Sequence, residues 1–136
     1  MKISTDPGLL DVERIHRWLS EDAYWSLGRT REVVERSVEH SLNFGVYDDS
    51  GEQVAYARVV TDQATFAWLC DVYVAPDHRG DGVGTALLDA VVTHLAGLRL
   101  SRTLLATADA HALYERYGFR PLSNPERFMA LGRPGE

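Results

Sequence analysis

The segment running from Thr65 to Leu88 constrains this chain more than any other. Residues Thr65 to Ala75 read as a strand, with Phe66, Trp68, Cys70, Val72 and Val74 on one face and Ala67, Leu69, Asp71, Tyr73 and Ala75 on the other. Both faces are largely apolar, which predicts a central strand covered on both sides. Asp71 is the exception. Past Pro76 the chain turns glycine-rich at Arg79-Gly80-Asp81-Gly82-Val83-Gly84-Thr85, and Val83, Leu87, Val91 and Leu95 then recur at helical spacing until Gly97. A short apolar stretch, Arg102 to Thr107, follows as a second strand. A strand, glycine loop, helix, strand order predicts a parallel crossover, with the loop at the helix start.

The remaining elements fit around that unit. Asp6-Pro7 reads as a cap and first helical position for an amphipathic helix buried through Leu9, Val12, Ile15 and Leu19. Thr30 can cap a second helix, buried through Val34, Val38 and Leu42 and ending near Asn43. Phe44 to Tyr47 and Val54 to Val60, separated by Asp48-Asp49-Ser50-Gly51-Glu52, predict a hairpin. Asp109 can cap a last helix through about Tyr117, closed by Gly118, and Phe119-Arg120 with Phe128 to Leu131 can form a final hairpin. No linker or repeat interrupts the sequence, so a single α/β domain over residues 1–136 is expected.

Composition removes several function classes. With 14 Lys and Arg against 20 Asp and Glu, the net charge is −6 in 136 residues, and the arginines are scattered, so nucleic-acid binding is disfavoured. One cysteine, Cys70, and five histidines without a paired spacing predict no disulfide and no metal centre. No signal peptide or membrane-length apolar run is evident, so a soluble cytoplasmic protein is expected.

The alternating glycines offer backbone N–H groups at a helix start, where the dipole favours anions, as a pyrophosphate needs. The spacing fails the dinucleotide fingerprint, because the third glycine would fall on Thr85 or Leu87. It also fails the P-loop, since the only lysine is Lys2.

Arg79-Gly80-Asp81-Gly82-Val83-Gly84 following Val74-Ala75-Pro76 resembles the GCN5-related N-acetyltransferase (GNAT) family, whose motif is Gln/Arg-x-x-Gly-x-Gly/Ala after Val-x-Pro. About thirty residues later, Tyr114-Glu115-Arg116-Tyr117-Gly118-Phe119 is similar to the family's second signature, Tyr-Glu-x-x-Gly-Phe. The resemblance implies the GNAT fold: a mixed, mostly antiparallel central sheet with a splayed parallel strand pair, flanked by about four helices. It implies acetyl-coenzyme A as cosubstrate, with no metal, and transfer of acetyl to a primary amine of a small molecule or peptide by direct attack in a ternary complex. An alternative is a coenzyme-binding regulatory module without turnover.

Carried over by residue, the resemblance gives the backbone of Val72, Tyr73 and Val74 to the pantetheine arm. Arg79, Gly80, Asp81, Gly82, Val83, Gly84 and Thr85 fall to the pyrophosphate, and an N–H of the splayed strand to the thioester oxygen. Tyr114 matches the family tyrosine near the coenzyme sulfur and would act as general acid, a phenol being protonated at neutral pH. Thr107 stands where the family often has Asn, which leaves open how the last helix meets the coenzyme.

The proton acceptor is not fixed by the motifs. Asp71, a carboxylate on an apolar strand just before the pantetheine-binding residues, is the first candidate base, directly or through water. His111, Asp109 and water are the others. A paired structural carboxylate is the competing reading of Asp71. Tyr24, Trp25 and Arg29, in the connection between the first two helices, with Trp68 and Tyr73, are candidate acceptor-binding residues. The acceptor itself, and whether the chain is a monomer or a homodimer, stay open.

Overall fold

The computed structural model describes residues 1–132. Five strands form one sheet in chain order: β1 (Lys2–Ser4), β2 (Leu42–Tyr47), β3 (Gln53–Thr61), β4 (Phe66–Val74) and β5 (Arg102–Leu104). The first four pair antiparallel, and β4 pairs parallel with β5. The helices are α1 (Val12–Arg17), α2 (Arg31–Glu39), α3 (Val83–Leu98) and α4 (His111–Glu115). This is the mixed sheet with a parallel pair and four helices that the sequence predicts. Two compact units are distinguished, one through Ala106, which holds the sheet and α1 to α3, and one beginning at Thr107, which holds α4.

Helices cover both faces of the sheet. Ile15, Leu19, Ala23, Val34 and Val38 bury against Tyr56 and Tyr73 on one side. On the other, α3 packs on β2, β3 and β4 through Val83, Leu87, Leu88, Val91 and Leu95. There His94 meets Phe44 edge to face at 5.5 Å. Two-sided burial explains why β2 and β3 read as nearly continuous apolar runs.

Several boundaries differ from expectation, each for a local reason. The first helix is broken. Asp6 does cap through Gly8 N, but only a 3-10 turn, Pro7–Leu9, follows; Leu10 is extended and Asp11 caps α1 by accepting from Arg14 N. Glycine at the second position of that turn favours the break. A π-helical turn, Trp18–Asp22, continues from α1. Thr30 caps α2 as expected, but α2 ends at Glu39 and Asn43 belongs to β2, where its amide donates to Val38 O and Ser41 O.

Arg99, not Gly97, ends α3, adopting left-handed backbone at φ 55°. Helix α4 is shorter than expected and is not capped by Asp109. Thr107 Oγ1 accepts from Ala110 N instead, at 3.1 Å. Gly118, at φ 95°, closes the helix with bonds from Gly118 N to Glu115 O and Phe119 N to Tyr114 O, a Schellman arrangement. The expected final hairpin is absent among the described residues. Phe119-Arg120 and Phe128 to Leu131 pair with no strand, and a 3-10 turn, Pro125–Arg127, lies between them.

Candidate active site

Strand β4 is where the sequence reading and the structure differ most usefully. Cys70 pairs with Arg58 of β3, whereas Tyr73 pairs with Tyr56, so three steps on β4 match two on β3. That is a β-bulge, and Asp71 sits in it with φ 51°, left-handed backbone that few non-glycine residues adopt. The extra residue reverses the alternation. Trp68, Cys70 and Tyr73 therefore share the face of Tyr56 and Arg58, and Cys70 does not lie opposite Tyr73 as uninterrupted alternation requires. Val74 is on the α3 face, where its Cγ2 would stand 3.5 Å from a Cβ at Gly84.

The bulge presents Asp71 to three donors from different parts of the chain. Trp25 Nε1 donates to one carboxylate oxygen at 3.0 Å; Arg29 at 2.8 Å and Arg58 Nε at 2.9 Å donate to the other. Arg58 also donates to Ser41 Oγ at 3.1 Å. The Asp71 side chain is only 1 % exposed. Burial pushes its pKa up, but the Arg58 and then the Arg29 guanidinium outweigh burial and hold it below the usual carboxylate value. Asp71 is thus an ionised, fully engaged carboxylate. Its packing reason, invisible in the strand pattern, is this pair of arginines.

Arg58 and Asp22 escaped the sequence reading. Arg58 carried a signal, being the one charge in the apolar run Val54 to Val60. Asp22 carried none. It ends the π-helical turn, where it accepts from the Tyr73 hydroxyl at 2.5 Å and from Arg79 at 3.3 Å. The Tyr73 hydroxyl bond, then Arg79, lowers the Asp22 pKa. Burial and the Asp22 carboxylate push the Tyr73 phenol up to about 12. Tyr73 is buried, stacked on Trp18 with ring centroids 5.2 Å apart, so its side chain is core rather than an open pocket wall. Trp68 is half-buried, whereas Tyr24 and Trp25 are exposed, packed edge to face at 5.1 Å. Burial also raises the Cys70 thiol to about 11, which leaves it protonated and a poor nucleophile.

The pairing of β4 with β5 is short. It covers Phe66, Ala67 and Trp68 against Arg102, Thr103 and Leu104, and β5 ends there, sooner than the expected Thr107. From Leu69 to Val74, β4 continues with β3 on one side and, among the described residues, no strand on the other. That open edge leads through Pro76–His78 to the glycine loop. Arg79 folds back, its Nε donating to Val74 O at 2.9 Å and its guanidinium lying 5.3 Å over the Tyr73 ring.

Gly80 and Gly82 need to be glycine for their backbone, at φ 85° and 81°. Gly84 does not. It has no positive φ, and an added Cβ would meet only Val74 at an ordinary distance. Gly82 caps α3 without a side chain, so the first-turn N–H groups of a 16-residue helix face outward past backbone alone.

In the second unit, Tyr114 is half-buried on α4 and meets Phe119 edge to face at 5.8 Å, while Asp109 and His111 are exposed. Among the described residues no group of three or more metal-ligating side chains occurs, and no helix is long and apolar enough to cross a membrane.

Comparison with known proteins agrees with this architecture. The family model for the Acetyltransferase (GNAT) family matches residues 12–119. A relative from Gibberella zeae named as an acetyltransferase is 33 % identical over 131 residues, covering 82 % of this chain and 74 % of its own length. A Xanthomonas campestris crystal structure, assigned to the GNAT family, superposes with a TM-score of 0.93 at 50 % identity, covering 98 % of this chain and 94 % of that one. Rv2747 of Mycobacterium tuberculosis, crystallised with coenzyme A, shares the fold at a TM-score of 0.72 and 19 % identity, covering 90 % and 74 %.

Proposed function

The chain belongs to the GNAT acetyltransferase family, and from that premise we propose that it transfers acetyl from acetyl-coenzyme A to a primary amine of a small molecule or peptide. One geometric fact supports this above the others: from Leu69 to Val74 the β5-side edge of β4 has no partner strand among the described residues, Arg79 Nε occupying only Val74 O at its end, and it runs directly into the glycine loop at the start of α3. An extended ligand with amide groups can pair along such an edge as a further strand would. An anionic end would then meet the N–H groups of the loop and the first turn of α3.

The chain's own residues fit acetyl-coenzyme A. Gly84, which neither backbone strain nor crowding requires to be glycine, keeps the first turn open to a closely approaching group. Val72, Tyr73 and Val74 would hold the pantetheine arm by backbone, and Gly80 to Thr85 the pyrophosphate. Arg79 is placed beside that loop, with Asp22 neutralising its charge. When bound, acetyl-coenzyme A supplies an acetyl group activated as a thioester.

Tyr114 would hold the proton that the departing sulfur requires. Asp71 we assign a positioning role in place of a base. Its oxygens already accept three bonds and its pKa is lowered, which makes it a weak proton acceptor, whereas it fixes Trp25 and Arg29 beside β4. The attacking amine then loses its proton to water.

Free-thiol release from acetyl-coenzyme A, measured over a panel of amino acids, aralkylamines, polyamines and peptides, tests the proposal. Amine-dependent release is expected. Coenzyme binding with no release across the panel would indicate a regulatory module, and affinity for ATP without affinity for acetyl-coenzyme A would remove the reading altogether.

A further inference from the structure

The cluster at the β4 bulge has an unbalanced charge. Arg29 and Arg58 share a single carboxylate, Asp71, so the group carries a net positive charge of one at neutral pH. Among the described residues no further carboxylate bonds to either arginine: the neighbouring Cys70 thiol is held neutral, and Asp22 is engaged with Arg79 and Tyr73. Both arginines are largely buried, with side-chain exposures of 22 % and 15 %. Holding two guanidiniums against one carboxylate out of water is costly unless a second anion completes the set.

The two arginines are not equivalent. Arg58 is held at two points, its Nε on Asp71 and one terminal nitrogen on Ser41, which leaves a single terminal nitrogen and no intact pair of donors. Arg29 stands at the start of the α2 cap and uses one terminal nitrogen on Asp71. Its Nε and its other terminal nitrogen have no partner among the described residues. Held through one terminal nitrogen, the guanidinium keeps its Nε and second terminal nitrogen together as a pair of donors, which suits a planar two-oxygen acceptor. Beside it, Trp25 is bound to the same carboxylate and stacks edge to face with Tyr24, and both rings are exposed, which gives the anion site an apolar flank.

We propose that Arg29, oriented by Asp71, binds a carboxylate on the acetyl acceptor, so that the substrate is an amino-acid-like amine whose apolar portion lies against Tyr24 and Trp25. The inference rests on the acetyltransferase reading and narrows its acceptor class. The net charge of one matches a carboxylate. A phosphate monoester, at about −1.5 to −2, would overshoot it. The site therefore selects by a group remote from the reacting nitrogen, and an acceptor that lacks the carboxylate leaves Arg29 uncompensated.

The test compares matched acceptors: phenylalanine with phenethylamine and phenylalaninamide, leucine with isoamylamine, and phosphoethanolamine as the dianionic control. For the wild-type protein, kcat/KM is expected to favour each carboxylate-bearing member by roughly tenfold or more. In Arg29→Gln that ratio should fall close to one, and Arg29→Lys should retain part of it. The ratio is internal to each protein, so a partly unfolded variant does not distort it.

A wild-type preference for phenethylamine, a carboxylate preference that survives Arg29→Gln, or phosphoethanolamine as the best acceptor would each overturn the proposal. Calorimetry with coenzyme A present, comparing N-acetylphenylalanine with N-acetylphenethylamine, separates this failure from failure of the acetyltransferase reading. If no amine turns over but the carboxylate-bearing compound binds more tightly in an Arg29-dependent way, the carboxylate site stands without the reaction. If the two bind alike, the site is wrong whatever the enzyme does.

Discussion

Asp71→Asn isolates the buried charge at the β4 bulge. Asparagine is nearly the same shape, tolerates the left-handed φ of 51° better than most residues, and can still accept from Trp25 Nε1. Only the negative charge is lost, and Arg29 and Arg58 are left facing each other without a counterion. Breaking a buried ion pair from one side costs about 3–5 kcal/mol. The arginines keep some access to water, at 22 % and 15 % side-chain exposure, which places the expected loss near the lower end, about 3 kcal/mol.

With a urea slope of about 2 kcal/mol per molar, the unfolding midpoint should fall by about 1.5 M at pH 7. Because the Asp71 pKa is depressed in the folded state, its contribution is fully present above the unfolded value of about 3.9 and disappears as the pH falls through the lower folded value. The difference between wild type and variant should therefore be constant from pH 7 to about 5 and shrink only in stronger acid. Urea titrations at several pH values measure it. A midpoint shift below about 0.5 M at pH 7, or a difference that closes already near neutrality, would refute the account of Asp71 as an ionised anchor.

Other perturbations read other parts of the molecule. Tyr114→Phe should lower kcat by roughly 10²-fold while leaving coenzyme affinity within about twofold, as steady-state kinetics and calorimetry would show; equal losses in both would remove the acid role. Gly84→Asp should preserve α3, since acid is favoured in a first turn, yet weaken coenzyme binding by roughly tenfold or more, and unchanged affinity would refute the cradle. Gly82→Ala should cost about 1–2 kcal/mol through its φ of 81° despite open space around it, whereas Gly84→Ala should be neutral or stabilising; the reverse order in urea midpoints would contradict the backbone assignment. Arg99→Gly should raise stability by about 1 kcal/mol by relieving left-handed strain at the end of α3, and a lowered midpoint would show that the arginine side chain has a compensating role.

Local chemistry made much of this protein legible in its sequence. The order of elements as far as α4, the Thr30 cap, the Gly118 stop and the glycine loop between a central strand and an amphipathic helix follow from residue types and spacings within a single turn or strand. So does the proposal that Gly80 to Gly84 holds an anion, which needs only backbone N–H groups at a helix start. Even the anomaly of Asp71 was visible, because a carboxylate on an apolar strand stands out against its neighbours. Where expectation failed locally, a nearby competitor won: Asp11 restarted the first helix, and the Thr107 hydroxyl rather than Asp109 took the backbone N–H at the turn into α4, at Ala110.

What only the tertiary structure decided is the meaning of those residues. Strand alternation counts one chain, but a bulge is a mismatch between two. The reversal of faces after Cys70 therefore depends on the pairing with Arg58 and Tyr56 across β3. The partners of Asp71 lie 46, 42 and 13 residues away, and no periodicity predicts that a loop tryptophan, a pre-helix arginine and a strand arginine converge on one carboxylate. The early end of β5 likewise determines how much of β4 stays unpaired. Propensity acts over a few neighbouring residues, whereas charge compensation and strand register act across space.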